Sequence, residues 1–172
     1  MVDIIVIKNK VVKIDFLYLD LNTCDRCMDT EHTLDEAVEE LSRPLKSLGY
    51  DIVVNKVNII DSDLAKKYKF KSSPTIRVGG FDILGEIEEN TCGACSDISG
   101  STTSCRVFVH EGKIYNDPPK AMIIDGILKQ LYSGDFKSTD SDATYEIPEN
   151  LIEFFKGSAL GNNRCCGEEV KA

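Results

Sequence analysis

The stretch "VKIDFLYLDLNTCDRC", residues 12–27, decides how this chain is read. Residues 12–21 carry the Val, Ile, Phe and Tyr bias of a strand. Asn22 and Thr23 close it, and Cys24 and Cys27 follow at a spacing that thiol exchange and metal ligation both use. From about residue 25 to 48, Leu34, Ala37, Val38, Leu41, Leu45 and Leu48 recur at intervals of three and four, the stripe of an amphipathic helix. The two cysteines therefore stand at a strand-to-helix junction, where outward helix N–H groups favour thiolate. Pro44 is expected to kink the helix and Gly49 to end it.

Upstream, "DIIVI" (3–7) reads as a further strand. Downstream, "YDIVVNKVNII" (50–60) is a strand and "DSDLAKKYKF" (61–70) a short helix capped by Asp61 or Ser62. "SSPTIRVGGFDIL" (72–84) reads as a hairpin turning at Gly79 and Gly80. Residues 85–105 lose periodicity and form an insert holding Cys92, Cys95 and Cys105. "RVFVHEGKIY" (106–115) resumes strand character about a turn near Glu111 and Gly112. "DPPKAMIIDGILKQLY" (117–132) is a second amphipathic helix, capped by Asp117 with Pro118 at its first position. One domain over residues 1–132 is expected, then a linker at 133–147. A short amphipathic segment and a flexible tail with Cys165 and Cys166 complete residues 148–172. Alternating strands and helices predict an α/β fold, a central mixed sheet flanked by helices.

Twenty basic against 29 acidic side chains give a net charge of −9, which repels phosphate backbones and argues against nucleic acid. No apolar run approaches the roughly 20 residues needed to span a bilayer. With no basic leader and cleavage site at the start, a soluble cytoplasmic protein is expected. Seven cysteines are many for a reducing compartment, where thiols more often bind metal or exchange electrons than staple a fold. His32 and the acids Asp35, Glu36, Glu39 and Glu40 read as a solvated helix face, and His110 as exposed beside a turn.

"DSDLAKKYKFKSSPTIRV" (61–78), some fifty residues after Cys24, resembles the thioredoxin superfamily's stretch before and through its cis-proline, with Pro74 at that proline. With "CDRC" the resemblance covers roughly residues 12–84 plus the helix at 118–132. It implies a thioredoxin-like fold, Cys24 as the more exposed nucleophile, Cys27 as the resolving thiol, and a cis Pro74 beside them. Thr23, Asp25, Arg26 and Ser73 flank the pair. The chain departs from the family in lacking Trp before Cys24, in carrying Asp25 and Arg26 for Gly and Pro, and in placing Tyr18 where an acid commonly lies beneath the pair. Helix-end effects of about 0.3 to 1 kcal/mol, with Arg26 opposed by Asp20, Asp25, Asp29 and Glu31, predict a modestly lowered Cys24 pKa.

The insert's "CGACSDISGSTTSC" (92–105) offers three soft ligands for zinc or another soft metal, with His110, Cys24 or Cys27 as candidate fourths. Because the hairpin from Pro74 leaves the reactive edge and returns to it, Cys92 or Cys95 is expected to approach the primary pair, as a relay or a shared metal site, with a local disulfide or zinc knot that orders the loop as the equal alternative. Cys165 and Cys166 form a candidate soft-ion chelate or a thiol pair for delivery. Two functions follow. One is a thiol-disulfide oxidoreductase acting on thiol or disulfide protein substrates, with an external reductant and no required cofactor. The other is a thiolate binder of a soft metal or metalloid such as zinc, arsenic or mercury.

Overall fold

Val12, Ile14 and Phe16 project from one face of β1 (Lys10–Tyr18) into a core lined by α1 (Asp25–Ser47) and α4 (Lys120–Tyr132). In the computed structural model, which describes residues 10–133 and 144–162, β1 is a central strand. It runs parallel to β2 (Tyr50–Asn58), from Lys10 opposite Tyr50 to Tyr18 opposite Asn58. On its other side it is antiparallel to β3 (Thr75–Val78), which hairpins into β4 (Phe81–Asp82). The sheet order is β2-β1-β3-β4, and α1 is the crossover between its parallel strands. The fold is mixed α/β.

The periodic stripe of α1 is buried as expected: Leu34, Ala37, Leu41 and Leu45 meet Ile123 and Ile127 of α4. Each leucine and isoleucine among them contributes about 1.5 to 3 kcal/mol on burial. Gly49 lies just beyond α1 at φ +82° and closes the helix. Pro44, expected to kink α1, sits inside it, and the helix continues to Ser47. Asp61 caps α2 (Ser62–Lys67) by accepting from the Leu64 N–H at 2.8 Å. The start expected for α4 is corrected by two residues: Pro119, without a side-chain cap, precedes the helix at Lys120.

Residues 85–105 are more than an irregular insert. They hold β5 (Glu88–Thr91) and α3 (Gly93–Ser99), and β5 joins β6 (Ser104–His110) and β7 (Lys113–Tyr115) in a second sheet ordered β5-β6-β7. Short length hid α3, and the exposure of every β5 residue removed the alternation that would have marked a strand. After the described chain resumes at residue 144, α5 (Glu149–Asn162) docks on α3. Leu151, Phe154 and Phe155 enter a second core with Leu17, Leu19, Ile59, Ala65 and Phe70. The strand expected at 3–7, most of the linker, and Cys165 and Cys166 lie outside the described residues. No helix among the described residues is long and apolar enough to cross a membrane.

Candidate thiol site

Asp20 sets the approach to the site. Its Oδ2 accepts from the Thr23 N–H at 2.6 Å, the Thr23 hydroxyl at 2.9 Å, the Cys24 N–H at 3.0 Å and the Asn22 N–H at 3.1 Å. Burial raises the pKa of this carboxyl, but the donors from Thr23, Cys24 and Asn22 outweigh that and hold it below the usual value. The loop so gathered delivers Cys24 as the N-cap of α1 and Cys27 within its first turn. A short polar residue four places before a cysteine was the signal for Asp20, and it was missed.

The second Cys-x-x-Cys repeats this arrangement. Cys92 is the N-cap of α3, its N–H donating to the Thr103 carbonyl at 2.8 Å, and Cys95 lies in the first turn. Ser96 ties the turn together, its hydroxyl donating to the Cys92 carbonyl at 2.7 Å and accepting from the Thr103 N–H at 2.9 Å. Cys105 arrives from β6. Thus the two motifs come together, as expected.

Five sulfurs converge in the second core. Cys24 Sγ lies 3.9 Å from Cys92 Sγ and 3.8 Å from Cys95 Sγ, and Cys105 Sγ lies 3.4 Å from Cys95 Sγ. Cys27 Sγ faces the Ser73 hydroxyl at 3.4 Å. All five thiols are free and buried. Cys24, Cys92 and Cys95 are three close, buried ligands, with sulfurs all within 4.8 Å of one another, and could hold a metal ion. A zinc–thiolate bond of about 2.3 Å would separate tetrahedral ligands by about 3.8 Å. The two spacings from Cys24, 3.9 and 3.8 Å, would admit a shared ion. Of the expected set, Cys92 and Cys95 join Cys24, a candidate fourth, in the mutual group, and Cys105 stands at its edge on Cys95.

Electrostatics follow from the crowding. Despite burial, the pKa of Cys24 is pushed far down by the thiols around it, Cys105 first and then Cys27, Cys92 and Cys95. Cys92 falls to about 6, chiefly through Cys105. Cys27 is pushed up by its bond to Cys24 and by burial, and Cys95 and Cys105 rise as they give their protons to hydrogen bonds. The lowering of Cys24 thus comes from neighbouring thiols rather than from Arg26. That guanidinium is committed elsewhere, to the carbonyls of Cys105 and Arg106 at 2.9 and 3.2 Å and to Asn90 and Asn116.

Further expectations change. Cys24, expected as the exposed thiol, is 0% exposed, in a core to which α5 contributes Leu151, Phe154 and Phe155. His110 is no ligand: it ends β6 opposite Lys113, five residues from Cys105, or roughly 17 Å along a strand. His32 is solvated and meets Glu36 at 3.5 Å. Asp35 pairs with Lys56 at 2.9 Å, Glu40 with Lys120 at 3.1 Å, and Glu39 is exposed, as is Asp25. The Ser73–Pro74 bond is cis. Ser73 Oγ accepts from the Leu19 N–H at 3.1 Å, and its carbonyl accepts from the Arg106 N–H at 2.7 Å, so it links β1, Cys27 and β6. Arg106, also missed, is fully buried and forks onto Asp82 at 2.6 and 3.2 Å, with a further bond to the Gly85 carbonyl.

Fold and site define a mixed α/β protein with a buried multi-thiol centre built from two helix-starting Cys-x-x-Cys motifs. The family model described as "Domain of unknown function (DUF2703)" matches residues 12–127, and the chain belongs to that family. No curated protein and no solved structure matches the chain. The matched span contains all five clustered cysteines and ends before α5.

Proposed function

We propose that this protein binds a soft metal or metalloid ion through buried thiolates, with Cys24, Cys92 and Cys95 as ligands. The observation that carries the reading is the mutual proximity of three buried sulfurs, with Cys24 3.9 and 3.8 Å from its two partners. Thiolate ligands select soft ions such as zinc, cadmium, mercury and trivalent arsenic over magnesium or calcium, which take oxygen. A thioredoxin-like arrangement is the scaffold in this reading. Its support is the β2-β1-β3-β4 order, the Cys-x-x-Cys at the start of α1, and Ser73-Pro74 beside Cys27.

Thiol-disulfide exchange is the second reading. What favours it is the split within the first pair: Cys24 is pushed towards thiolate while Cys27 is held as thiol, the division that attack by one and resolution by the other needs. Burial of both sulfurs counts against attack on a folded protein disulfide.

Native mass measurement of the reduced chain after zinc or cadmium treatment, run beside an insulin-reduction assay, separates the two. Retention of one ion per chain without turnover is expected. Turnover without ion retention would reverse the order of the readings.

A further inference from the structure

Chemistry inside a sealed apolar chamber is governed by net charge as much as by ligand type. The walls around the sulfurs are Leu17, Leu19, Phe70, Leu151, Phe154 and Phe155. The guanidiniums carried nearest to Cys27 and Cys105 in sequence are engaged with other partners: Arg26 binds the Cys105 and Arg106 carbonyls and two asparagines, and Arg106 pairs with Asp82. Four thiolates around a divalent ion would leave two negative charges here, and three would leave one. Buried charge without a partner is strongly disfavoured. Three thiolates around a trivalent centre leave none. Ligand number agrees, because the mutual group contains three sulfurs, with Cys105 at its edge and Cys27 turned to Ser73.

We propose that the ion is a trivalent metalloid of the arsenite class, held by Cys24, Cys92 and Cys95 as a neutral tris-thiolate. This assignment rests on the soft-ion reading above and narrows it. The reaction is a condensation, As(OH)3 + 3 RSH → As(SR)3 + 3 H2O. Three As–O bonds break, three As–S bonds form, and each departing hydroxide takes one proton, from the thiol or from solvent. No electrons move, so no oxidant or reductant is needed. The incoming species is itself uncharged, which suits entry to an apolar chamber. Cys105, beside Cys95, remains a thiol that donates a hydrogen bond.

The test uses the full-length reduced chain with Cys165→Ser and Cys166→Ser, so that these two thiols cannot contribute. Sodium arsenite and zinc chloride are titrated separately and in competition, and arsenic-edge X-ray absorption counts the neighbours of bound arsenic. One arsenic per chain with three sulfur neighbours is expected. The count of three sulfur neighbours should persist in Cys105→Ser, and affinity should fall by about a hundredfold or more in Cys92→Ser, which removes one arm of the chelate. The absorption measurement needs no ligand variant, so a Cys92→Ser chain that fails to fold leaves the result readable. Zinc displacing arsenite, with Cys105→Ser abolishing zinc binding, would overturn the metalloid assignment and leave the soft-ion reading standing as a four-thiolate divalent site. Arsenic with two sulfur neighbours would overturn it as well. Failure of both ions to bind would overturn the assignment together with the reading beneath it.

Discussion

Gly157 of α5 rests directly on the main chain of Ser99 at the end of α3: a Cβ at residue 157 would stand 1.8 Å from the Ser99 carbonyl oxygen. The close approach brings Leu151, Phe154 and Phe155 over the sulfurs. Asn150 fixes the other end of the contact, donating to the Ser104 carbonyl at 2.8 Å and accepting from its N–H at 2.9 Å. Closure of the thiol chamber therefore depends on a helix beyond the span that the family model matches.

Gly157→Ala separates docking from helix formation by sign. Alanine favours an isolated helix by about 1 kcal/mol, whereas a methyl forced into a packed contact costs about 1 to 3 kcal/mol or more. With Cys165 and Cys166 replaced by serine, the variant should melt lower than its parent, and its buried thiols should react faster with a disulfide reagent. A higher melting temperature at unchanged reactivity would mean that α5 does not seal the site.

Asp20 gives the loop before Cys24 a pH dependence. Its folded pKa is depressed by N–H and O–H donors, so its contribution is complete above the unfolded value near 3.9 and is lost as pH falls through the folded value. Asp20→Asn keeps an acceptor but cannot ionise. The stability difference between wild type and this variant, followed by thermal melts, should be constant above about pH 5 and shrink below about pH 4. A gap that persists to low pH would contradict the role given to the carboxylate.

Asp82→Ala strands a buried cation. Arg106 is fully buried and Asp82 supplies its counter-charge, and removing one partner of such a pair costs about 3 to 5 kcal/mol. For a chain of this size that lowers the melting temperature by roughly 10 °C. Urea unfolding checks it, and a change below about 1 kcal/mol would show that water reaches the guanidinium. Because Arg106 neighbours Cys105 on β6, ion binding should weaken in the same variant.

Ser73→Ala removes the acceptor for the buried Leu19 N–H. An orphaned buried donor costs about 1 to 3 kcal/mol. The loss should appear in stability at full ion occupancy, since Ser73 faces Cys27 and not the three-sulfur group. Lost ion binding at unchanged stability would instead make Cys27 a ligand.

What the residues announced and what they concealed divide along physical lines. Burial of one face wrote the period of α1 into its sequence, and Gly49 marked its end, so strand, helix and Cys-x-x-Cys junction were all legible. In the insert, α3 is seven residues long and β5 is fully exposed, so neither imposes a pattern. Strand direction made the approach of Cys92 or Cys95 to the first pair one of two readings, but it gave no sign of their burial. Residues of α5 join the core that holds Cys24, and the apolar face of "NLIEFF" does not name its target. Arg106 acts through a main-chain carbonyl and one buried ion pair, contacts that leave no spacing to read.

Cadmium titration of the reduced chain, followed by thiolate-to-metal charge-transfer absorbance, tests the central claim most directly. The account predicts a signal that saturates at one ion per chain, persists when Cys165 and Cys166 are replaced by serine, and disappears when Cys24, Cys92 and Cys95 are. A signal that survives loss of those three sulfurs, or that never saturates, would contradict a buried ion centre at the meeting of α1 and α3.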